Sequence, residues 1–276
     1  MSDLPIDIFV HIPKTAGTTL TGIIARQYPS DRTLAHYSVT ESIDEMLDRV
    51  AEHDRTQLRL LQGHFPFGVH QYLQRPYRYF TFLRAPVSRT LSLYSYARSN
   101  PYHWLHDTIM QDNLRISDCI ARQLSKGFDN VMVRQISGAG YEPDFGKCTF
   151  DMLEAAKYNL KSQFVVTGFT ERFDQSLILL GERLGWRKLN YVRRNITSNR
   201  VTTESIDQAT LDLISGHNFL DQQLFDWALA EFDLYYENHS HQLDRKVIAF
   251  QASNLGFKYV YRFYERTIKR YRAAQQ

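Results

Sequence analysis

The sequence predicts an α/β fold with a central parallel sheet flanked by helices, plus a C-terminal helical extension. Three observations carry this. Short β-rich runs alternate with helical patterns through the first two thirds of the chain, as in folds whose crossovers are helices. Several of those runs read as buried strands that end in glycine or a turn. The last part of the chain changes composition and becomes a basic, aromatic stretch at helical spacing.

The first strand is Ile6-Asp-Ile-Phe-Val-His11, followed by a loop from Pro13 to Thr19 and a helix from about Thr18 to Gln27. Ser42-Ile-Asp-Glu45 has the form of a capping box and opens a helix to about His53. Leu58–Gln62 is a second strand, ending at Gly63-His64, and Tyr77–Leu83 a third. Pro86 stands where a first-turn proline belongs, with a helix running to about Arg98. The polar, aromatic region 100–160 reads as helix in pieces. Gln163–Thr167 is a fourth strand, and Glu171–Leu184 an amphipathic helix stopped by Gly185. Leu189–Val192 is strand-like. Ser205-Ile-Asp-Gln208 reads as another capping box, opening a helical region to about Phe232, and 246–272 as one long helix.

The chain has 276 residues, 43% hydrophobic and 23% charged, which suits a globular domain with its own core. The division expected is a domain over 1–240 and a basic, aromatic helical tail over 241–276. That tail holds eight basic and two acidic residues, a net of +6, which leaves −3 on the rest of a chain whose total is +3. The positive charge therefore belongs to the tail and not to the body. Cys119 and Cys148 are far apart, which argues against a disulfide framework or a zinc site and fits a reducing, cytoplasmic setting. The first residues lack a basic and then apolar leader pattern, and no apolar run is long enough to span a bilayer. No nucleic-acid partner is expected.

The strongest local signal is His11-Ile-Pro-Lys-Thr-Ala-Gly-Thr-Thr19 between a strand and a helix. Unsatisfied N–H groups and the helix dipole make a helix start an anion site. Gly17 permits close backbone approach, and Lys14 adds a full charge. The order of residues is not that of a Walker loop, since the lysine precedes the glycine. An ordinary turn with a solvated lysine is the plain alternative. A second signal is Phe82-Leu-Arg-Ala-Pro-Val-Ser-Arg-Thr-Leu-Ser92, which sets Arg84 at a strand end and Ser92 two turns along the next helix. An Arg fork and a hydroxyl so placed can converge on one phosphate dianion.

Pro-Lys-Thr-Ala-Gly-Thr-Thr after the first strand resembles the 5′-phosphosulfate loop of the sulfotransferases that use 3′-phosphoadenosine-5′-phosphosulfate (PAPS). It is most similar to the carbohydrate branch, Golgi-type and heparan 2-O-like, with this chain as a soluble, bacterial-type member. The Arg84…Ser92 spacing resembles the family's 3′-phosphate motif, with Ala85 where many members have Asp. Gln62–Gly68, Asn130–Gly138, Val166–Asp174 and Asn218–Phe225 resemble later family blocks, so the resemblance covers about 6–235. It implies a P-loop NTPase-like fold and PAPS as co-substrate, with no metal required. The donor would be held by Lys14, Thr15, Ala16, Gly17, Thr18, Thr19, Arg84, Ser92 and, in a loop that helps close over the nucleotide, Arg200. Lys14 is also implied to act at the bridging oxygen.

Sulfuryl transfer needs a base for the acceptor hydroxyl, and histidine titrates near neutrality. Among ten histidines, His64 is singled out because it follows the second strand, facing the same end as the loop, and the family uses a histidine in this segment. His36 and His70 are lesser candidates, and His11 reads as structural. His103 and His106 are three residues apart, could face one side of a helix, and fit substrate contact or plain surface better than metal. Tyr102 and Trp104 beside them could form a platform for a sugar. The acceptor expected is a hydroxyl on a glycan or glycolipid. Two rivals remain. A kinase-like phosphotransferase calls for a Walker lysine and an acidic magnesium ligand, neither present in clear form. A non-catalytic module would bind an anionic surface, membrane included, through the basic tail.

Overall fold

Ile6–Val10 (β1) has no exposure on either face of any residue beyond a trace. Only a strand in the middle of a sheet covered on both sides satisfies that pattern. The computed structural model, which describes residues 4–37, 43–48, 56–193 and 201–273, places it there. Thr33–His36 (β2), Leu60–Gly63 (β3), Tyr77–Leu83 (β4) and Phe164–Phe169 (β5) complete a five-stranded sheet in the order β2-β3-β1-β4-β5. Every pairing is parallel, for example Ile8 with Leu61 on one side and Tyr79 on the other. The expected α/β class and parallel sheet are thus the observed ones.

Gly17–Ile24 (α1) follows β1, and Ile43–Asp48 (α2) lies between β2 and β3. Pro86–Ser99 (α3) starts on its proline as expected. The middle is helix in pieces: His106–Gln111 (α4), Ile116–Ala121 (α5), Val131–Ser137 (α6) and Phe150–Ser162 (α7). Phe173–Leu184 (α8) ends where Gly185 turns left-handed at φ 75°. Gln208–His217 (α9), Phe219–Asn238 (α10) and Ser240–Ala273 (α11) follow.

Four local expectations need correction. β2 was not foreseen, because a four-residue edge strand with two half-exposed members and one exposed shows no apolar alternation. Leu189–Val192 is strand-like in composition but irregular in structure. The N–H of Tyr191 donates to Asn254 Oδ1 on α11, so the segment bonds to a helix side chain instead of a neighbouring strand. Ser205 does not cap α9; its hydroxyl donates to Thr202 O in a short 3-10 turn, and Asp207 is the cap, accepting from Thr210 N. The helical region after it breaks at Asn218 and then runs on to Asn238. The Ser42 cap falls outside the described residues.

Two cores position the site. The main one fills the sheet faces and takes in Leu243, Val247 and Phe250 of α11. A second, helical core gathers Leu91, Tyr94, Ala97, Leu105, Ile109, Ile120 and Ile214 against the outer side of α3. With that side buried, α3 turns its Ser88, Ser92 and Tyr96 face elsewhere, since residues four apart share a face. At the amino end of the sheet, buried Asp7 accepts two bonds from Arg78 and one from Tyr28, whose hydroxyl accepts from Trp186. That network satisfies a buried charge and leaves the carboxyl edge free for chemistry.

Candidate active site

In a parallel sheet all strands end at one edge, so the residue after each strand meets the residues after its neighbours. Here these are Tyr37 after β2, His64 after β3, His11 after β1, Arg84 after β4 and Thr170 after β5. The chain leaves β1 toward β2 and β3 on one side and crosses to β4 and β5 on the other. Strand order therefore reverses at β1 and β4, and such a switch point is where open α/β sheets bind ligands.

The loop after β1 is unusual in its backbone. Lys14 and Ala16, neither of them glycine, both lie in the left-handed region, at φ 71° and φ 65°. Each costs of order 1–3 kcal/mol and persists only where its surroundings demand it. Alternating handedness turns successive N–H groups to one side, the geometry of an anion cradle. α1 starts at Gly17, with Ala16 as its cap. Thr15 is fully buried and its hydroxyl donates to Ile12 O at 2.8 Å, so its side chain braces the loop. Thr18 is exposed, while Gly17 and Thr19 are buried.

Arg84 Nη1 donates to Lys14 O at 3.1 Å, joining the two expected phosphate residues across the switch point. Glu171, after β5, accepts from the N–H of Ala85 at 3.0 Å and holds the Arg84 turn. The Lys14 ammonium stands 3.8 Å from the centre of the Tyr96 ring, a cation–π contact. Burial, helped by the nearby Arg84 charge, lowers Lys14 to about 8. Ser92 is one turn before Tyr96 on α3, so it shares the face that Lys14 meets. Arg200 falls outside the described residues.

On the other side of the loop is an aromatic and imidazole cluster. The rings of His11 and His64 are 4.6 Å apart, and Tyr37 packs edge-on to both, at 5.5 and 4.9 Å. His64 Nδ1 lies 2.6 Å from His11 O. A carbonyl only accepts, so Nδ1 carries the proton and Nε2 the lone pair. Burial lowers the pKa of His64, against the raising effect of that bond, while the His36 charge lowers it further. His11 is pushed well below its ordinary value by burial, then by His64 and Lys14. His36 lends its carbonyl to His64 N–H. His70 is not in this cluster: it bonds Tyr79 and packs at a tilt against Tyr77, in the amino half of β4.

Sequence reasoning missed Tyr37 and Tyr96. The signal for Tyr37 would have been β2 itself; for Tyr96 it was the i+4 position from Ser92. His103 packs edge-on to Tyr96 and stacks with Trp104, and its pKa is lowered by burial, then by Lys14 and His106. Trp104 and Tyr102 stand exposed beside it. Among the described residues no group of three or more His, Cys, Asp or Glu side chains could hold a metal ion.

The fold and this edge define an α/β protein with a parallel sheet, a strand-order reversal at β1 and β4, and a left-handed lysine loop beside it. The sequence model of the sulfotransferase family matches residues 8–228, and the chain belongs to that family. Among solved structures it resembles mouse sulfotransferase SULT7A1 complexed with PAP, with 16% identity and a TM-score of 0.40. That match covers 79% of this chain, which spans 66% of the mouse chain. No curated protein matches it.

Proposed function

We propose that this protein transfers a sulfuryl group from PAPS to a hydroxyl, with a carbohydrate as acceptor. The observation that carries the reading is the left-handed Lys14 and Ala16 loop tied to Arg84 at the β1–β4 switch point. Family membership supports it. The donor fits the residues present. It brings two phosphate groups, and the loop backbone of 14–19 with Lys14 forms one cationic locus, Arg84 with Ser92 a second. When bound, it supplies the sulfuryl group and a phosphate leaving group.

In this reading Lys14 holds positive charge where negative charge develops on the leaving side, an electrostatic role in a water-poor site. Arg84 and Ser92 recognise the 3′-phosphate. His64 accepts the acceptor proton at Nε2, because Nδ1–H is already committed to His11 O. The lowered pKa keeps His64 neutral and so competent as a base at neutral pH. A sugar is favoured as acceptor because exposed Tyr102 and Trp104 flank His103, which borders Lys14 through Tyr96, and sugar faces stack on such rings. Residues 1–240 carry the catalytic machinery, and 241–276 are a helical extension whose first turns pack on the main core. A cytoplasmic site of action agrees with two unpaired cysteines.

The test is transfer of labelled sulfate from PAPS to a glycan pool, beside transfer of labelled phosphate from ATP, each with and without EDTA. Sulfate transfer that EDTA leaves intact is expected; phosphate transfer alone overturns the reading. His64→Ala is expected to lower turnover about 10²–10⁴-fold with nucleotide affinity unchanged. Full activity in that variant would move the base elsewhere and leave the donor assignment standing.

A further inference from the structure

From Val247 to Tyr261 the last helix, α11, carries one charged side chain, Lys258, and its ammonium lies 5.2 Å from the centre of the Tyr191 ring. The inward stripe of the helix is Leu243, Val247, Phe250 and Asn254, all buried against the body. At 100° per residue the opposite stripe is Ile248, Ala252, Leu255, Tyr259 and Phe263. Ile248, Leu255, Tyr259 and Phe263 are 66%, 71%, 77% and 69% exposed, and Val260 beside them 65%. The stripe is about 22 Å long at 1.5 Å per residue. A helix apolar on both faces is one that something covers, and single chains rarely leave so continuous an apolar strip in water.

Charge decides what covers it. Exposed Arg245 and Arg262 bracket the stripe, and Arg266, Lys269, Arg270 and Arg272 follow in the chain with Glu265 as the lone acid. Lys246 is turned aside by its pairing with Glu182. Two such helices laid face to face, parallel or antiparallel, set arginine against arginine at both ends. An anionic lipid surface meets the same cations with opposite charge and takes the apolar residues below its headgroups. We infer that α11 docks this protein on an anionic lipid surface, lying in the interface with Leu255, Tyr259 and Phe263 inserted. Among the described residues no helix is long and apolar enough to cross a membrane.

The experiment is co-sedimentation of the full chain with vesicles of neutral phosphatidylcholine, or with phosphatidylserine added, at low and high salt. Binding is expected only with the anionic lipid, and weaker as salt rises. Leu255→Asp with Tyr259→Asp should cut it at least about tenfold. Arg262→Gln should cost about fivefold, the worth of one cation near an anionic surface. The substituted side chains touch solvent, so the melting temperature and nucleotide binding should stay as in the parent. Equal binding to both vesicle types, or none to either, overturns the inference. So does sedimentation equilibrium showing a dimer that the Leu255→Asp, Tyr259→Asp pair dissolves, because the stripe then belongs to a second copy.

Discussion

The imidazole of His11 occupies the space that a β-carbon on residue 17 would need: Nε2 would stand 1.6 Å from it. Gly17 is therefore required by a side chain of the preceding strand end. The His11 ring lies 4.6 Å from that of His64, whose Nδ1 is bonded to the His11 carbonyl. The Lys14 loop and the imidazole cluster are one packed unit.

Gly17→Ala should lower stability by about 1–3 kcal/mol, the usual cost of overpacking, even though alanine favours helix over glycine by about 1 kcal/mol. The double variant His11→Ala, Gly17→Ala should recover most of the loss, because the colliding ring is gone. Urea unfolding of the four proteins measures this. A double variant no better than Gly17→Ala alone shows that the collision is not the cause.

Lys14 should make nucleotide binding sensitive to alkali. Its pKa of about 8 in the free protein means that the charged form dominates below that pH and fades above it. Affinity for 3′-phosphoadenosine-5′-phosphate should be flat up to about pH 8 and then fall by up to about tenfold per unit. Lys14→Arg keeps its charge over this range and should abolish the break. Titration calorimetry from pH 7 to about 9.5 reads both curves.

Acid should destabilise the fold through the histidine pair. The folded pKa values of His11 and His64 are depressed below the ordinary value of 6.5. The stability this reflects is present above pH 6.5 and is lost as pH falls toward the folded values, since the unfolded chain takes protons that the native state refuses. Replacing His11 by Asn should reduce the pH slope of the unfolding free energy by up to one proton, about 1.4 kcal/mol per pH unit. An unchanged slope in denaturant titrations would show that His11 protonates freely in the folded state.

Asn130 and Asp221 cap each other's helices. Asn130 Oδ1 accepts from the N–H groups of Leu220 and Asp221 at the start of α10. Asp221 returns two bonds, accepting from Met132 and Val133 at the start of α6. All of this is buried, so Asp221→Ala strands two N–H groups and should cost about 2–5 kcal/mol. Asp221→Asn, which keeps one acceptor, should cost less. Because α6 passes Gln135 O to the N–H of Phe67, the Ala variant should also loosen the His64 segment, seen as faster amide exchange at 64–67. Equal stability of the Ala variant and the parent would refute the mutual cap.

Some of this protein was legible from local residue order. The buried run of β1, the Lys14 loop, the Pro86 helix start and the Gly185 stop each depend on residues adjacent in the chain, so propensity, capping and charge report them directly. β2 was not legible, because Thr33–His36 is held by its pairing with β3 and not by any pattern of its own. Leu189–Val192 misleads for the converse reason: its residues favour a strand, but Asn254 on a distant helix takes the Tyr191 donor. The candidate site divides the same way. Lys14, Arg84 and His64 stand beside motifs that the chain spells out, whereas Tyr37 on the histidine rings and Tyr96 under the Lys14 ammonium arise only when strands and α3 are assembled. Sequence alone determined which residues carry charge, hydroxyl and imidazole and where the backbone must turn. The tertiary structure decided which of them meet, because the parallel order β2-β3-β1-β4-β5 delivers the residue after each strand to one edge, and that order is a property of the packed sheet.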